Sequence, residues 1–209
     1  MSSQESENIS ADDIEVLEGL EPIRRRAQTY VGDLSRTESP SDLILTSLCH
    51  AIDEAMERNC KYITVTIRGT EVCTVYDVAM PLEVHPPTGQ TVAETLLSVL
   101  RACHNMKKNF EVGSMYCKLG LAVLNALSSE FHAEIVANGR VGRQFHKKGI
   151  AQTPFIIEAL SAPDKTELCF RLDNEIIQAC SFDIEYLRQE TADIIENLDV
   201  DLRFEQIAI

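Results

Sequence analysis

The sequence predicts a two-layer α+β sandwich, a mixed β-sheet with helices on one face. Three observations carry this. Apolar residues recur at three- and four-residue intervals in several stretches. Elsewhere they alternate with polar ones, around two hairpin signatures. The helical and strand-like stretches are interleaved, with strands linked mainly by hairpins rather than by long crossovers. At 209 residues, 44% hydrophobic and 25% charged, the chain has the composition of one folded domain with its own core.

Residues 1–12, rich in Ser, Glu and Asn, read as a flexible arm, and 13–209 as a single domain. Ser10, with Asp13 three residues on, is placed to cap a helix through Ile14, Leu17, Leu20 and Ile23. Gly, Pro, Ser and Asp make 31–41 a loop. Leu45, Leu48, Ile52 and Ala55 predict one helix over 42–58. Alternation over 62–67, a turn at Arg68-Gly69-Thr70 and a second β-prone run over 71–77 predict a hairpin. Pro81, Pro86, Pro87 and Gly89 break the chain before a helix carrying Val92, Leu96, Leu97, Leu100 and Cys103. A loop crosses 105–116, and the nearly all-apolar 119–127 reads as a buried helix. Asn138-Gly139 centres a hairpin spanning 131–147. Strands are expected over 155–160 and 167–172, a helix over 184–195, and a last strand over 200–204.

A formal charge of −14 argues against a surface that neutralises phosphates, so direct nucleic-acid binding is not expected. Arg24, Arg25 and Arg26 suit a solvated helix end. Seven cysteines, never spaced as C-x-x-C, suggest reduced, mostly buried thiols rather than a disulfide framework or zinc finger. No apolar run is long enough for a membrane span or signal core, and a cytoplasmic protein is expected.

Six stretches carry a resemblance. They are 16–26 (VLEGLEPIRRR), 30–33 (YVGD), 51–55 (AIDEA), 84–89 (VHPPTG), 124–128 (LNALS), and 142–145 (GRQF) with Gly149. In order and spacing they resemble the N-terminal GHKL (Bergerat) ATPase domain of type IIA topoisomerase B subunits, those of DNA gyrase and topoisomerase IV. The resemblance covers roughly residues 12–205. It implies an α/β sandwich holding ATP and Mg²⁺ between sheet and helices.

The residues that would work on the nucleotide depart from that family. A Glu base for the attacking water and, four residues on, an Asn ligand for Mg²⁺ are what the resemblance implies; those places hold Thr46 and His50. Threonine is no base at neutral pH, and imidazole is a poor ligand for a hard cation. The adenine-reading Asp-x-Gly-x-Gly loop corresponds to Asp77-Val78-Ala79-Met80-Pro81, without glycine, and either Asp77 or Val75 takes the aspartate's place. Of the phosphate-cradling lid, Met115 to Gly120 keeps only Gly120. Thr166 and Arg143 align with a family threonine near the adenine and an arginine at the pocket edge. Vestigial nucleotide contacts are then Asp77, Gly120, Arg143 and Thr166, with no catalytic residue and no cofactor expected. Three altered stretches carry Cys49-His50, Cys103-His104 and Cys117, weak candidates for a soft metal whose spacing matches no metal motif.

The expected function is therefore a catalytically inactive, regulatory interaction module. Its partner would be a second copy or a topoisomerase B subunit, engaged through the N-terminal arm. The chain ends at Ile209, where the family's first domain ends, so no transducer or cleavage domain is expected to act with it. Alternatives are a small-ligand module using Asp77, Arg143 and Thr166, or a divergent ATPase with Asp53 or Glu54 as base.

Overall fold

A computed structural model describes residues 15–100, 102, 119–178 and 181–208. The first helical residues are α1 (Glu21–Arg25) and α2 (Ala27–Val31). Residues 15–18 are not helical, which corrects the helix expected through Ile14, Leu17 and Leu20. The backbone turns at Gly19, where φ is +54°, and Pro22 then stands in the first turn of α1, where a missing N–H costs nothing. The proposed cap at Ser10 and Asp13, and the arm, lie outside the described residues.

The helix expected over 42–58 is two helices, α3 (Ser39–Ser47) and α4 (Cys49–Met56). The break is at Leu48, whose N–H bonds to Leu45 and Thr46 carbonyls in a tightened turn before Ile52 resumes with Leu48. Pro40 in its first turn starts α3 inside the expected loop. Strands β1 (Tyr62–Arg68) and β2 (Glu71–Tyr76) form the expected hairpin. Helix α5 (Val92–Ser98) is closed by a capping box in which Thr91 and Glu94 satisfy each other's backbone N–H. The loop expected over 105–116 is outside the described residues. Helix α6 (Leu121–Ala126) is buried along its whole length.

Strands β3 (Ser128–Ala137) and β4 (Arg140–Lys147) meet at Asn138-Gly139, both at positive φ, as a two-residue hairpin requires. A short β5 (Ile150–Ala151) and β6 (Ile156–Ala159) both pair with β4. Strand β7 (Lys165–Leu172), helix α7 (Ile184–Asn197) and strand β8 (Asp201–Ile207) complete the fold. The sheet runs β5-β4-β3-β7-β2-β1-β8, with β6 beside β4. Only the β1–β8 pairing is parallel among these ladders, so the sheet is mixed.

Alternation decides the two faces. Ile63, Val65, Ile67, Val72, Tyr76, Phe131, Ile135, Leu168 and Phe170 point to one side and are buried in a core shared with the helices. Arg143, Phe145 and His132 alternate to the other face, which no described helix covers. No described helix is long and apolar enough to cross a membrane.

Candidate functional site

The space between α3–α4 and the β2–β7 strands is where the resemblance would put a nucleotide. Thr46 lies near the end of α3, 4% exposed, and donates to its own Asp42 carbonyl at 3.3 Å. Its neighbour Ser47 reaches the sheet, with its Oγ 2.7 Å from Thr74 Oγ1 on β2. His50, 2% exposed, lies one turn on in α4, and its Nε2 is 3.9 Å from Glu54 Oε1. Glu54 accepts from Asn59 Nδ2 at 2.8 Å, so it serves the turn that leaves α4.

Facing His50 from the sheet is Tyr76, 1% exposed, with ring centroids 5.6 Å apart. Burial is the main cause that drives the Tyr76 phenol well above its ordinary range. Tyr76 is the register partner of Thr166 on β7. The side chain standing beside Thr166 on the helix-facing side is thus Tyr76, which lies between the two residues, Val75 and Asp77, that the resemblance offers for the family's aspartate. Tyr76 shares the parity of Val72 and Thr74, the set that the folded sheet turns toward the helices.

Thr166 itself is fully buried and engaged. Its hydroxyl donates to the Val78 carbonyl at 2.9 Å and accepts from the Met80 N–H at 3.1 Å, pinning 78–80 to β7. The Met80 side chain is wholly inside the core. Asp77 turns away from this segment. Its Oδ1 accepts from the Lys61 and Tyr62 N–H groups at 2.9 and 3.1 Å and from the Cys60 thiol, tying the start of β1. Burial raises the Asp77 carboxyl, but these hydrogen bonds prevail and hold it below the usual range. Burial and the nearby Asp77 carboxylate push the Cys60 thiol up to about 12.

The four nucleotide candidates are not brought together. Thr166 faces the helices, and Asp77 serves the β1 start. Arg143 stands on the open face, donating to Glu134 at 2.8 Å and to Glu158 at 3.3 Å. Gly120, at φ +75°, begins α6. Of the metal candidates, Cys49 and His50 open α4, while Cys103, His104 and Cys117 lie outside the described residues. Among the described residues no group of three or more His, Cys, Asp or Glu is placed to hold a metal.

The cysteines correct one expectation. Cys49 and Cys60 are buried, reduced thiols, as expected, but Cys73 and Cys169 are joined by a disulfide. They are register partners on β2 and β7, with Cα atoms 4.1 Å apart. Their spacing of 96 residues hides this in the sequence, because it becomes visible only once β2 and β7 are known to be neighbours.

No protein-family model matches the chain. Curated proteins similar to it include the DNA gyrase B subunit of Thermotoga maritima, 29% identical over 203 residues, which are 93% of this chain and 31% of that protein. The DNA gyrase B subunit of Campylobacter jejuni is 32% identical over 184 residues, 87% of this chain and 24% of that protein. The type 2 topoisomerase B subunit of Aquifex aeolicus is 27% identical over 206 residues, 97% of this chain and 26% of that protein. The chain thus spans about a quarter to a third of the length of these relatives.

Proposed function

This chain is a sequence relative of the DNA gyrase B subunits, and on that premise we propose that it is a catalytically inactive module that acts by binding a protein. The observation that carries the reading is Tyr76, wholly buried opposite Thr166 and against His50. A phenol ring in that place takes volume that an adenine needs, and close-packed interiors do not yield it cheaply. Thr46 offers no carboxylate to activate water, and its hydroxyl is already engaged with Asp42. His50 puts an imidazole where Mg²⁺ prefers oxygen. The residues present therefore do not fit ATP and Mg²⁺, and no hydrolytic step is assigned to them.

A divergent ATPase with Glu54 as base has little support, because Glu54 is buried beside His50 and Asn59. A small-ligand module built on Asp77, Arg143 and Thr166 is weakened by their pointing in different directions. What remains is a kept scaffold, for which the partner is a second copy or a topoisomerase B subunit, engaged by residues 1–12. A cytoplasmic setting, and a role in tuning supercoiling, go with that partner.

The test is to add the purified chain to DNA gyrase and follow co-elution and supercoiling rate, with turnover of the chain alone measured in parallel. Co-elution with the gyrase or self-association, no intrinsic turnover, and a changed supercoiling rate are expected. ATP turnover lost in Glu54→Ala would overturn the reading, as would a chain that binds neither itself nor the gyrase.

A further inference from the structure

We propose that Cys73 and Cys169 are a reversible redox pair that locks β2 to β7 from the open face of the sheet. The inference is independent of the partner role above. The disulfide lies in a cross-strand row, Thr66, Cys73, Cys169, His132 and Phe145, each the register partner of the next. His132 and Phe145 stack at 4.2 Å at the end of this row. On either side the rows are charged. Arg171 pairs with Glu71 on one flank, and Arg143 and Lys165 pair with Glu134 on the other. Those charges are mutually satisfied, whereas the row between them carries a disulfide on a face that no described helix covers.

Access distinguishes this pair from the other described cysteines. A cavity of about 490 Å³ opens on this face, lined by Cys169, His132, Phe145, Glu71, Glu134 and Arg143. Cys169 is among its lining residues, so a low-molecular-weight thiol held in this cavity lies beside the disulfide. Cys49 and Cys60 are buried on the helix side, out of reach of the same reagent.

Position supplies the consequence. Three residues along each strand from the disulfide, on the opposite face, are Tyr76 and Thr166, also register partners. The covalent lock and the packed interior site are thus carried by the same two strands, so opening the bond loosens the ladder that holds Tyr76 in place. In the opening step a thiolate attacks Cys169 Sγ, the S–S bond breaks, and the electron pair passes to Cys73 Sγ, which takes a proton. A second thiol then attacks the mixed disulfide and leaves as the small-molecule disulfide. This releases the Cys169 thiol, for two electrons and two protons in all.

The folded full-length chain should be equilibrated in glutathione buffers of stepped redox ratio, trapped with an alkylating reagent and mapped by peptide mass spectrometry. Cys73 and Cys169 are expected to become labelled together in one two-electron transition and to close again on oxidation, with Cys49 and Cys60 protected throughout. Amide exchange in β2 and β7 is expected to rise on reduction by roughly tenfold, as for a locally loosened unit. A Cys73→Ser/Cys169→Ser double variant should show the reduced exchange pattern in every buffer. The proposal is overturned if the bond resists millimolar dithiothreitol in the folded protein, or if both thiols are labelled even in glutathione disulfide alone. It is equally overturned if the double variant, once folded, exchanges like the oxidised chain. If that variant does not fold, the alkylation series decides alone.

Discussion

His146 shows how one residue writes a condition into the fold. It lies on β4, 1% exposed, with its ring edge-on to Phe131 at 6.1 Å. Neither ring nitrogen meets a hydrogen-bond partner within the described structure. Burial, and secondarily the neighbouring His132, lower its pKa from 6.5 to about 4. The unfolded chain takes up a proton near pH 6.5, while the folded chain refuses it until about pH 4. Stability is therefore lost as the pH falls between those values, by roughly 3 kcal/mol in all. Denaturant titrations at pH 7.5 and 4.5 on the native chain and on His146→Leu check this, and the variant should lose the His-dependent part of the acid destabilisation. An equal pH slope in both would contradict it. His146 was not legible as a buried group from the chain alone, since an alternating strand reveals parity but not which parity faces the core. By the same limit the sequence did not show that Tyr76, between Val75 and Asp77, is the residue that faces the interior.

Among the elements, the turns were the most legible and the helix ends the least. Asn138-Gly139 and Arg68-Gly69-Thr70 carry backbone demands that their residue types reveal directly, and both hairpins formed where expected. The break between α3 and α4 has no such marker. It follows from tertiary contacts, with Ser47 bonded to Thr74, that no helical periodicity encodes. Gly149 belongs to the legible kind: it follows Lys148 in the turn from β4 to β5, with φ +79°. Beyond that backbone demand, a Cβ there would stand 3.1 Å from Ala126 Cα and 3.2 Å from Leu20 Cβ, so two neighbouring elements must give. Gly149→Ala is expected to destabilise by about 1–3 kcal/mol, from left-handed strain and overpacking together. A thermal melt within a degree of the native chain would show that the α1–α6 packing has slack the structure does not display.

At the scale of the whole molecule, a mixed sheet and its helices keep the fold of the gyrase B relatives, and the described side chains between them, Tyr76, His50 and Thr166 among them, are buried. Arg24 illustrates the scaffold's integrity. It donates to the Ala126 carbonyl at 2.7 Å and to Asp173 at 2.6 Å, joining α1, α6 and the end of β7 through a largely buried ion pair. The sequence conveyed this level well, because six stretches in family order fix a topology whatever stands between them. It conveyed the interior poorly, because a residue type at a position does not say which side chains pack against it. The claim that the interior is closed to nucleotide is tested most directly by isothermal titration of the folded chain with a non-hydrolysable ATP analogue and Mg²⁺. No heat of binding up to millimolar ligand is the expected result, as the proposed place of Tyr76 in the adenine's space requires. Saturable binding at micromolar ligand would contradict the account and make nucleotide-controlled association the better reading.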